Sequence, residues 1–145
     1  LMQYLDFDKV LDQILEKESR YDRHAYSFVR EGLDYTQKLV SDSKEDRIRH
    51  VSGQELLQGM RKYALSQYGP MSKTVLNEWG ICECLDFGEI VFILIEHSVL
   101  AKTKDDKLED FDGGFSFEEA FVDPFVPARK RRQQAGKGRR KASST

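Results

Sequence analysis

Seven residues within one fifteen-residue stretch, Tyr21, Asp22, Arg23, His24, Tyr26, Arg30 and Tyr35, combine a carboxylate, an imidazole, two guanidiniums and three phenols. That mixture can supply an acid, a base, hydrogen-bond donors and flat apolar faces, which a small-molecule or catalytic site needs. Asp22, Arg23, His24, Tyr26 and Arg30 are therefore the candidate ligand residues. A plainer assignment competes with this one: Asp22 caps a helix while Arg30 and Glu31 face solvent. No second segment can be shown from the sequence to converge on the stretch, so no catalytic residue is assigned and a non-enzymatic chain is expected.

The other chemistry-bearing feature is electrostatic. The last nineteen residues, 127 to 145, carry eight Lys or Arg and no acid, whereas the preceding body carries fifteen basic and twenty-five acidic residues. The formal net charge of -2 thus hides a cationic tail on an acidic body. Arg129, Lys130, Arg131, Arg132, Lys137, Arg139, Arg140 and Lys141 form a Gly- and Lys/Arg-rich run of low complexity that cannot bury a core. Such a run releases counterions on meeting RNA or DNA, which gives affinity without much sequence preference.

Other chemistries lack their residues. Cys82 and Cys84 lie too close together for an ordinary structural disulfide, and His24, His50 and His97 are not paired at a metal-ligand spacing. No metal or cofactor is expected, and the thiols read as packing groups. Asp86-Phe87-Gly88 copies the metal-binding triplet of kinases, but the Gly-rich loop, strand lysine and catalytic loop that give the triplet meaning are missing. Gly136-Lys137-Gly138 has no strand or helix around it to shape a phosphate cradle. The longest apolar run, Ile90 to Ile95, is far short of the ~20 residues of a membrane-spanning helix. Asp6, Asp8 and Asp12 stand where a signal peptide needs basic and then apolar residues. The expected location is therefore cytoplasmic, with no membrane partner.

The elements that must position these groups are mostly helical. Phe7, Val10, Leu11, Ile14 and Leu15 make one apolar stripe behind the capping candidate Asp6. A second helix is expected from Asp22, with Ala25, Phe28, Val29, Gly32, Leu33, Thr36, Leu39 and Val40 facing inward, until the polar run Ser41 to Arg49 breaks the pattern. Ser52-Gly53-Gln54-Glu55 has the spacing of a capping box. Its helix runs through Leu56, Leu57, Met60, Ala64, Leu65 and Tyr68 to Gly69, and Pro70 opens a short helix with Met71, Val75, Leu76 and Trp79 inward and Gly80 as its left-handed stop. Asp86 and Glu89 suggest another capped start, so Phe87 to Val99 is read as a buried helix although Ile90 to Ile95 has the composition of a strand. Leu100 to Thr103 and Leu108 to Phe117, around the polar Lys104 to Lys107, read as a hairpin.

The fold class is thus mainly α: a helical pair over residues 4–46, then a winged-helix-like unit of three helices and a β-hairpin over 48–121. Together they make one domain, 4–123, followed by a disordered basic tail, 124–145. The would-be recognition helix offers only Asp86, Glu89, Glu96 and His97, which oppose groove insertion and favour packing inside the domain or against another subunit. The alternative to nucleic-acid binding is therefore a protein-protein adaptor or homodimer.

Tyr21-Asp22, Ala25-Tyr26, Phe28-Val29, Glu31, Leu33 to Thr36, His50-Val51, Gly53 to Leu57, Phe87 to Phe92, Lys102-Thr103 and Glu109 to Phe111 carry a resemblance across residues 4 to 123. With these the chain resembles an uncharacterised conserved family of planctomycete and verrucomicrobial bacteria. The resemblance implies a bacterial source and brings no activity or site residue with it. The tail lies outside it.

Overall fold

Helix starts in this chain are set by side chains that reach back to free backbone amides. A computed structural model describes residues 2–3, 7–41 and 50–127, and within them the chain forms five α-helices: α1 (Phe7–Lys17), α2 (Arg23–Val40), α3 (Gly53–Tyr68), α4 (Ser72–Glu78) and α5 (Cys84–Glu96). At α2, the Asp22 carboxylate accepts the His24 amide at 2.9 Å. At α3, Ser52 Oγ accepts the Glu55 amide and Glu55 Oε1 accepts the Ser52 amide, both at 3.1 Å, the reciprocal box read from the sequence. Ser52→Ala is expected to lower stability by about 1 kcal/mol in urea denaturation, and an unchanged midpoint would show that α3 does not depend on this cap. The proposed Asp6 cap and the run 42–49 fall outside the described residues.

The apolar stripes of all five helices meet in one core. Phe7, Leu11 and Ile14 of α1, Phe28, Val29 and Leu33 of α2, Leu56, Leu57 and Met60 of α3, Leu76 of α4 and Phe87, Ile90, Val91 and Leu94 of α5 are buried in it. The α2–α3 crossing is close because Gly59 faces Thr36; a Cβ at Gly59 would stand 1.7 Å from Thr36 Oγ1. Ile90 to Ile95 is helical, and α5 runs through the core instead of presenting a face to a nucleic-acid groove. Among the described residues no helix is long and apolar enough to cross a membrane.

Several expectations are corrected. The hairpin after residue 99 does not form. Strand pairing among the described residues is a two-residue antiparallel bridge, β1 (Met2–Gln3) against β2 (Leu100–Ala101). Past β2, the Asp106 carboxylate accepts the Thr103 amide at 2.8 Å and Asp110 accepts the Lys107 amide at 3.0 Å. These acids bend the chain into the 3-10 turn Leu108–Phe111, whose Phe111 packs on Gly88 of α5. Without a hairpin there is no wing, and the architecture stands as mainly α.

α5 also begins earlier than Asp86. Glu83 is its N-cap, and Asp86 sits a turn inside, its Oδ2 accepting the amides of Cys82 and Glu83 at 2.9 and 3.1 Å. Met71 and Leu39, both expected inward, are 55% and 49% exposed. Met71 falls in the 3-10 turn Gly69–Met71 that Gly69-Pro70 imposes before α4, and Leu39 sits in the last turn of α2.

Candidate functional site

The link between α1 and α2, residues 18–22, lies across the turn that joins α4 to α5. Gly80 makes this approach possible: its φ is +93°, and a Cβ there would stand 2.5 Å from the Arg20 carbonyl oxygen. The Asp22 amide donates to the Trp79 carbonyl at 3.1 Å. Tyr21 is buried beside this crossing, and its hydroxyl donates to Asp86 Oδ1 at 2.7 Å. One carboxylate, Asp86, thus caps α5 and anchors the α1–α2 link. Burial first, and then the hydrogen bond to that carboxylate, push the Tyr21 phenol well above its ordinary pKa.

Between the two segments is an open groove of about 550 Å³ lined on one side by Leu15 and residues 18–23 and on the other by residues 77–80. Arg20 donates to Glu18 Oε1 at 3.0 Å, approaches Glu89 at 3.8 Å and lies over the Tyr21 ring, 5.3 Å from its centroid. The Arg20 hydrogen bond holds the Glu18 carboxyl below its usual range. The α2 backbone amide of His24, with its ring, does the same for Asp22. Arg23 pairs with Asp12 of α1. His24 Nδ1 lies 2.7 Å from Asp22 Oδ1, and the imidazole stacks on the Trp79 indole with centroids 5.8 Å apart and planes 14° from parallel.

Of the five predicted ligand residues, Asp22 and Arg23 line the groove, and His24 stands beside it on Trp79. Tyr26 does not reach its surface. It is fully buried, its hydroxyl has no hydrogen-bond partner among the described residues, and burial pushes its phenol up to about 12. Arg30 lies two turns along α2, over the Phe7 ring at 5.0 Å, and Tyr35 packs on Tyr63 at 5.3 Å. The stretch therefore divides by helix periodicity. Sequence reasoning missed Glu18, Arg20, Asn77, Glu78 and Trp79 as groove residues. The Trp79-Gly80 pair was the available signal, because a left-handed glycine after a helix brings another segment close.

Cys82 is exposed and Cys84 buried. Cys84 Sγ donates to the Phe115 carbonyl at 3.3 Å and accepts the Phe115 amide at 3.4 Å, while burial raises its pKa. This thiol holds the segment after Phe111 against α5. Among the described residues no group of three His, Cys, Asp or Glu is placed to hold a metal ion. The eight cations proposed for nucleic-acid contact, Arg129 to Lys141, lie outside the described residues. Comparison with protein-family models, with curated proteins and with solved structures returns no match, so each functional statement about this chain rests on its own residues.

Proposed function

We propose that this protein is a non-enzymatic interaction module that binds RNA or DNA without sequence preference through the basic run Arg129 to Lys141. Charge segregation carries this reading: the run holds eight cations and no acid, and residues 74 to 127 before it hold thirteen acids and three lysines. That stretch repels phosphate, so the tail supplies most of the contacts with the nucleic-acid backbone. Release of counterions from eight phosphates gives a logarithmic salt slope approaching about -7, less if the tail engages only in part.

The test compares the full chain with one ended at Val126 on single- and double-stranded oligonucleotides over a salt series. Binding by the full chain that falls steeply with salt, and its loss on shortening, is the expected result. Equal binding by both chains, or none by either at low salt, removes the tail from the mechanism. The acidic body would then become the functional surface, in an adaptor that recognises a basic protein or in a homodimer.

A further inference from the structure

We propose that the groove between residues 18–23 and 77–80 takes one base of a single strand, with preference for a base bearing an exocyclic amino group. This rests on the nucleic-acid reading above and adds to the tail's contacts a site that only an unpaired strand can fill. A duplex hides its base faces in the stack, whereas an unpaired base can be laid against aromatic or guanidinium planes and read at its edge.

The groove offers each of these parts. Its volume of about 550 Å³ falls within the range of small-ligand clefts, about 300–1,000 Å³. Trp79 forms part of the 77–80 wall and is held by Phe28 and Tyr68, at 5.8 and 5.7 Å between centroids. The indole is therefore a fixed backing on which His24 is stacked, and the imidazole, with a side chain 72% exposed, offers its outer plane to a base. Glu78 and Asn77 stand on the same wall, and Glu78 has no ion-pair partner among the described residues. A carboxylate accepts from the amino group of cytosine or adenine and has nothing to accept from the corresponding carbonyl of uracil.

The opposite wall supplies Arg20 and Arg23, whose side chains are 53% and 44% exposed. Arg20 is held by the half-buried Glu18 and Glu89 and Arg23 by the exposed Asp12, and ion pairs this open to water are weak enough to exchange for a phosphate. Two guanidiniums on one wall also disfavour a small organic cation, the other ligand that an acidic aromatic groove suggests.

Trp79 is the only tryptophan of the chain, so its emission reports occupancy directly. The full chain is titrated with CMP, AMP and UMP at a salt concentration that suppresses tail binding. Saturable quenching by CMP and AMP is expected, with UMP at least about tenfold weaker. Glu78→Ala should bring CMP and AMP close to the UMP value while leaving the circular dichroism unchanged. A second protein, with the eight tail cations replaced by glutamine, should keep mononucleotide quenching while losing duplex binding at low salt. That separates failure of the tail from failure of the groove. Absence of saturable quenching by any nucleotide, equal affinity for UMP, or stronger quenching by arginine methyl ester than by CMP would each overturn the proposal.

Discussion

Phe87→Ala is expected to cost about 3–5 kcal/mol, a large part of the stability of a domain this size. Phe87 is fully buried, and its ring lies 6.2 Å from Phe28 of α2 and 5.8 Å from Phe117. Removing it opens a void between α2, α5 and the aromatic segment after Phe111, where Phe117 also meets Phe121 at 5.0 Å. These neighbours come from two separate parts of the chain outside α5, so they cannot close the void by moving one side chain. Chemical denaturation measures the loss, with Leu39→Ala as the control because Leu39 is 49% exposed and such surface changes stay within about 0.5 kcal/mol. A loss below about 1 kcal/mol at Phe87 would mean that α5 is not the centre of the core.

The helices were legible because their signals are local. Asp22, Ser52-x-x-Glu55 and Gly80 each act within four residues, and each stands where the spacing placed it. The start of α5 was misplaced by a local ambiguity: Glu83 and Asp86 both suit a helix start, and the cap fell to the earlier one because Asp86 can reach back to two amides. The hairpin failed for the opposite reason. Leu100–Ala101 pairs with Met2–Gln3, almost a hundred residues away, and no pattern within 100–117 encodes that choice. Asp106 and Asp110, read as turn composition, cap bends that lead Phe111 onto α5.

The candidate site was half legible for a related reason. Tyr21, Asp22, Arg23 and His24 occupy the link and first turn of α2 and reach the groove or its rim together. Arg30 and Tyr35, further along the same helix, pack against Phe7 and Tyr63 instead. Adjacent residue types made the cluster conspicuous, but a helix turns most of them away from one another. The groove's second wall, Asn77 to Gly80, comes from a short helix and its glycine stop, a local pattern that carries no sign of the Arg20 backbone and Tyr21 ring packed against it.

Alkaline pH should unfold this protein steeply, because its tyrosines are buried as phenols. Tyr26 is pushed up to about 12 by burial, and Tyr21 is raised further by burial and by its bond to Asp86. Below pH 10 both are neutral in the folded and unfolded chains, and their contribution to stability is fully present. Above pH 10 the unfolded chain releases both protons while the folded chain keeps them, so the unfolded state binds fewer protons and stability falls as pH rises. Each phenol contributes a slope of about 1.4 kcal/mol per pH unit. Together they remove about 5 kcal/mol between pH 10 and pH 12, where the Tyr26 contribution ends and that of Tyr21 continues. Tyr63, raised to about 12 mainly by burial and bonded to Glu31 at 2.9 Å, adds a smaller, solvent-screened share. The raised Cys84 thiol begins its loss lower, near pH 9. Urea midpoints at successive pH values from 8 to 12 measure the slope, and Tyr21→Phe should remove about one proton from it. Stability that stays level from pH 9 to 11 would show that neither the Tyr21–Asp86 bond nor the enclosed Tyr26 hydroxyl exists in solution, and a Tyr21→Phe slope equal to that of the parent would show that the Tyr21–Asp86 bond does not. The crossing that forms the groove would lose its anchor with that bond.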